Sequence, residues 1–154
     1  MKTILISIAL LCCISFSSLS QEQKVTVKKE QVSLNDKPVF KMVSTTYPDA
    51  YTVYNLNDEK LIYFNAYFYN SAKQITPGNP QGRIGYFDIT FFNDDMDKCE
   101  ILIVGAKKAL AEQIISEKLI KEGKLDKSAV KQFCRINGMK FSEEQKQTSI
   151  IINN

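Results

Sequence analysis

The chain has 154 residues with 20 basic and 17 acidic side chains, a net charge of +3, and no histidine. Without imidazole it holds no Ser-His-Asp or Cys-His nucleophile system and no histidine-ligated zinc site within itself. A charge this balanced also argues against nucleic acid or a polybasic membrane anchor as its partner.

In chain order, the first segment is an export address. Lys2 precedes an apolar run from Ile4 to Phe16 broken only by Ser7 and Ser15, and Ser18-Leu19-Ser20 offers small residues where a signal peptidase reads them. Cleavage between Ser20 and Gln21 is expected. The run is shorter than the roughly 18 apolar residues a membrane span requires. Cys12 and Cys13 follow Leu10 and Leu11 inside the run, where lipidation is not expected. Removing residues 1–20 leaves 134 residues and, without Lys2, 19 basic against 17 acidic groups, a net of +2. That length suits a single domain, 21–154, with its own core. The expected location is periplasmic or extracellular.

From Val25 to Phe92 the pattern is that of strands. Val25 and Val27, then Val32 and Leu34, alternate with polar residues. Asn35-Asp36-Lys37-Pro38 forms a turn cluster before Val39, Phe40 and Met42, which predicts a hairpin. A second hairpin is predicted from Tyr51–Asn55 through Leu56-Asn57-Asp58-Glu59 to Leu61–Tyr69. Under period two, Ile62, Phe64, Ala66 and Phe68 share one face of that long strand, and Leu61, Tyr63, Asn65, Tyr67 and Tyr69 the other. Gly85, Phe87, Ile89 and Phe91 repeat the apolar face, opposite Tyr86, Asp88, Thr90 and Phe92. The purely apolar faces are expected to point to the core. No helical segment separates these strands, so an antiparallel meander is predicted. Pro77, Gly78, Pro80 and Gly82 mark Ser71–Arg83 as a loop, with glycine spacing wrong for a phosphate cradle.

Cys99–Val104 reads as a further strand, and from Ala106 the period changes. Ala106, Leu110, Ile114, Ile115 and Leu119 fall on one helical stripe, with Gly123 placed to end it. A second helix has Asp126 as its cap, Leu125 and Val130 as a staple, Val130, Phe133 and Cys134 as its stripe and Gly138 as its stop. Ser142 with Gln145 fits one further short turn, and 150–152 reads equally as an edge strand or a frayed end. The whole predicts an α+β domain: an antiparallel β-meander of about five to six strands followed by two amphipathic helices packed on one sheet face.

Chemistry-bearing residues are sparse. Asn93, Asp95 and Asp97 have the alternation of a calcium loop, but Lys98 and Val104 stand where that loop needs glycine and glutamate, so no metal site is predicted. Cys99 and Cys134 are the only cysteines after residue 20, which makes them the disulfide candidate in an oxidising compartment; two buried thiols are the competing reading. Tyr63, Tyr67, Tyr69, Tyr86 and Asp88 form the candidate binding surface, an aromatic and hydroxyl-bearing face for protein or glycan placed away from the helices. Tyrosines also favour exposed sheet faces on propensity alone.

The signal segment, the NDKPVF turn, the GYFDITFF strand and the closing LIKEGKLDKSAVKQFCRING unit together resemble small exported proteins of unknown function common in Bacteroidota. The resemblance implies an envelope or secreted location and an α+β domain, and assigns no site residue. The expected function is a non-enzymatic binding or envelope-associated module without a cofactor. The alternative is a small histidine-free hydrolase or ligand-binding protein that uses carboxylates and tyrosines.

Overall fold

The computed structural model describes residues 24–46, 49–103, 105 and 107–152. The export segment and its cleavage point at Ser20 and Gln21 lie outside them.

Seven strands run in sequence order through one antiparallel sheet: β1 (Val25–Lys28), β2 (Gln31–Leu34), β3 (Lys37–Thr46), β4 (Asp49–Tyr54), β5 (Lys60–Asn70), β6 (Arg83–Phe91) and β7 (Lys98–Leu102). This is the predicted meander with a strand more than expected. Several links are short because their residues suit the turn. Between β2 and β3, Asn35 and Asp36 both take positive φ, 50° and 64°, the mirror-image turn that matches strand twist. The longer link from β5 to β6 holds a 3-10 turn, Ala72–Gln74, and closes where the Ser71 N–H donates to the Gly82 carbonyl. A Cβ on Gly82 would stand 2.1 Å from the Ser71 oxygen, so this position admits only glycine.

Register brings most of the apolar face together as the period-two reading expects, while Phe68 at its end is exposed, with Arg83 over its ring. Ile62 pairs with Phe91, Phe64 with Ile89 and Ala66 with Phe87, while Ile89 pairs with Cys99 on the far side. Helices α1 (Lys107–Ser116) and α2 (Lys127–Asn137) cover this face, α1 against β1 and α2 against β7. Leu110, Ala111, Ile114, Val130 and Phe133 are buried in the same core as Met42, Val53, Ile62 and Phe91. At roughly 1.5–3 kcal/mol for each large apolar side chain withdrawn from water, this layer is the main source of stability.

Helix α1 stops earlier than Gly123. Lys118 adopts φ 54°, its N–H donates to the Ile115 carbonyl, and the Leu119 N–H donates to the Ile114 carbonyl, a Schellman closure with lysine at the left-handed position. Burial of Leu119 and Ile114 in one core stabilises that closure. The residues read as the helix end form a small hairpin instead: β8 (Ile120–Lys121) and β9 (Lys124–Leu125), turning through Glu122 and Gly123 at φ 52° and 75°. Helix α2 then starts as predicted, with the Asp126 carboxylate accepting from the Ala129 N–H at 2.9 Å.

After Gly138 the chain turns around the outer edge of the sheet. The Glu100 N–H of β7 donates to the Gly138 carbonyl at 2.8 Å, and a third helix, α3 (Lys140–Ile152), continues on the opposite sheet face. Residues 150–152 are therefore helical. The domain is α+β, with two helices on one face of the sheet and a third on the other. No helix among the described residues is long and apolar enough to cross a membrane.

Candidate binding site

Helix α3 divides the tyrosine face. Its Phe141 packs with Tyr69, Ile84 and Tyr86 in a second apolar cluster, leaving Tyr69 and Tyr86 buried. The Tyr86 ring lies between Tyr67 and Phe141, stacked on each at 5.5 Å, and Tyr69 meets its edge at 6.0 Å. The Tyr69 hydroxyl donates to Glu144 and the Tyr86 hydroxyl to Gln145, both at 3.2 Å. Burial, then Glu144, pushes the Tyr69 phenol up to about 12, and burial, then Glu100, also raises Tyr86. Of the candidate residues Tyr67 alone is exposed, at 42 %, while Tyr63 and Asp88 are half-buried.

What draws α3 onto this face is Glu100. Its register partner on β6 is Asp88, so both side chains point to the tyrosine side of the sheet. Fully buried, the Glu100 carboxylate accepts the Phe141 N–H at 2.7 Å and the Ser142 N–H at 3.1 Å. These are orphan donors in the first turn of a helix, and a negative charge there also meets the positive end of the helix dipole. A strand side chain thus does what a sequence-local cap usually does. Asp88 has no such compensation: burial, then Glu100, outweighs nearby Lys98, and its carboxyl is held above the ordinary range. Its Oδ1 and that of its β5 partner Asn65 are both buried without a hydrogen-bond partner.

The remaining sequence candidates are engaged in structure. Asn93 closes its own turn, accepting the Asp97 N–H and donating to the Asp97 carboxylate at 2.8 Å. Asp95 pairs with Lys131 of α2 at 2.9 Å and with Lys127 at 3.6 Å, contacts that lower its pKa. Cys99 and Cys134 are free thiols 3.6 Å apart, joining β7 to α2 across the core.

Sequence reading missed an open cleft of about 1230 Å³. One wall is the start of β3 with Pro38, Val39 and Phe40; the other is the end of α1 and the β8–β9 hairpin. Ile114, Ile115, Leu34 and Leu56 supply apolar surface, while Lys118, Lys121 and Lys124 share the lining with Glu59, Glu122 and Asp126. Asn55 holds the two sides in place. Buried at 3 % exposure, it donates to Glu59 at 2.6 Å and to the Gly123 carbonyl at 3.0 Å, and its Oδ1 accepts the Asn57 and Glu59 N–H groups. The turn of one hairpin is thereby fastened to the turn of another 68 residues away. The Glu122-Gly123 turn pair, flanked by Leu119-Ile120 and Leu125, was the available signal for the missing wall.

Compared with protein-family models, curated proteins and solved structures, the chain matches none.

Proposed function

We propose that this chain is an exported, non-enzymatic binding protein, active in the periplasm or outside the cell, whose ligand is an extended peptide segment held in the cleft beside Asn55. The observation that carries the reading is the cleft itself: apolar walls, charges of both signs among its lining residues, and a position fixed by a buried side-chain knot. Preformed, largely apolar concavities with a few placed polar groups are the common form of ligand sites, and about 1230 Å³ exceeds the usual volume for one small molecule. A peptide supplies apolar side chains and both signs of charge together. A glycan would favour an exposed aromatic platform, whereas the one ring in this lining, Phe40, is buried in the core.

The carboxylates of the cleft favour binding over catalysis, since Glu59 accepts from Asn55 and Asp126 caps α2. Glu100 is spent on the α3 terminus and Asp95 on Lys131, and neither lines the cleft. The export half of the reading rests on the Lys2–Ser20 pattern.

Panning a random displayed-peptide library against residues 21–154 tests the cleft. Enriched peptides should bind Leu56→Glu and Ile115→Lys variants at least about tenfold more weakly, the cost of placing a charge against an apolar contact. No enrichment, or binding indifferent to both changes, would overturn the site. Amino-terminal sequencing of protein recovered outside the cytoplasm should begin at Gln21.

A further inference from the structure

We propose that Cys99 and Cys134 form a disulfide by a two-step exchange in which Cys134 takes the oxidant first and Cys99 closes the bridge. The placement of the two thiols carries this. They stand 3.6 Å apart, Cys99 on β7 and Cys134 on α2, two elements packed directly on each other. Closing to a bond needs an approach of about 1.5 Å from this separation, since an S–S bond is about 2.05 Å. The described residues hold no other cysteine, so one intramolecular connectivity exists.

Exposure sets the order of events. Cys99 is wholly buried, whereas Cys134 is only half-buried on its helix, so a disulfide reagent from solution reaches Cys134 alone. The closeness of the two sulfurs acts in the same sense. With Cys134 beside it, Cys99 is held protonated, and the pKa of Cys134 is lowered by Cys99. Thiolate is the attacking form in exchange.

In the first step the Cys134 thiolate attacks one sulfur of a small-molecule disulfide, breaking that S–S bond and expelling one thiolate. In the second, Cys99 loses its proton to solvent and attacks Cys134 Sγ, breaking the mixed disulfide and expelling the second thiolate, which is protonated. The two protein thiols lose two electrons and two protons, and the reagent disulfide is reduced to two thiols. The bond closes across 35 sequence positions and staples the edge strand to the helix that leads, through Gly138, to α3. The oxidant in the cell is a disulfide met on the export route, so the cellular role rests on the proposed export, while the chemistry is tested apart from it.

The test equilibrates purified residues 21–154 with excess oxidised glutathione and counts thiols after denaturation. The expected result is a monomer with no titratable thiol and no glutathione retained, whose thermal midpoint exceeds that of the reduced protein by on the order of 10 °C. Two thiols still titratable, a lasting glutathione adduct, or disulfide-linked dimers would each overturn the bridge. For the order of steps, Cys99→Ser should accumulate an adduct on Cys134, while Cys134→Ser leaves Cys99 unmodified in the folded state. Should either variant fail to fold, mass-spectrometric mapping of wild type quenched early reads the same question: the first adduct must lie on Cys134, and an adduct on Cys99 overturns the order. Bridge formation in the tube together with retention in the cytoplasm would sink the export reading and leave the bridge standing.

Discussion

Asn65 and Asp88 face each other across β5 and β6, each with a buried oxygen that no donor satisfies, and the carboxyl of Asp88 titrates above its ordinary range. A raised carboxyl pKa means that folding favours the protonated form, so the stabilisation is present in acid and lost as the pH rises through the folded value. Asp88→Asn should therefore stabilise the protein at neutral pH by about 1 kcal/mol, by removing a desolvated charge and adding a donor opposite Asn65. In urea melts the advantage should shrink towards acid; an equal gain at all pH values would refute this account. Tyr69 shows the same sign in alkali. Its folded value of about 12 against about 10 for a free tyrosine means that its contribution is intact below pH about 10 and is lost between about 10 and about 12. Tyrosinate absorbance should show this group ionising late, and Glu144→Gln should bring it down. At this scale sequence reading gave the identity and facing of the tyrosines but not their burial, because the helix that covers them is anchored by Glu100, whose strand neighbours mark it only as one more polar residue.

Helix α3 stays on the sheet through a small apolar cluster and a few polar contacts, above all the Glu100 carboxylate under its first turn. Glu100→Ala leaves the Phe141 and Ser142 N–H groups without that acceptor and should cost about 2 kcal/mol in a denaturant titration. Amide exchange should then quicken in α3 far more than in β5 and β6; uniform acceleration would mean that Glu100 supports the core at large. Helix α2 was legible from its ends, since Asp126 and Gly138 are residues whose side-chain chemistry favours caps and stops. The end of α1 was not. Lysine at a left-handed position has no local advantage there, and what holds Lys118 in it is the burial of Leu119 beside Ile114.

Across the whole molecule the sheet carries a large apolar layer under α1 and α2 and a lighter, more polar one under α3. Stability should be graded accordingly, with α3 opening before β3–β6 in native-state hydrogen exchange. Asn55 joins hairpins far apart in sequence, and Asn55→Ala should cost about 2 kcal/mol by leaving the Gly123 carbonyl and two turn N–H groups without that partner. The same change should weaken cleft-selected peptides while the core strands keep their exchange protection. Period two along β5 and β6 determined the core face, and turn residues at short intervals determined a meander, because both depend on backbone geometry within a few residues. The cleft, the covered tyrosines and the meeting of Cys99 with Cys134 were decided only in tertiary structure. Each depends on which groups, distant along the chain, satisfy one another's hydrogen bonds and apolar surface, and no local pattern encodes that pairing.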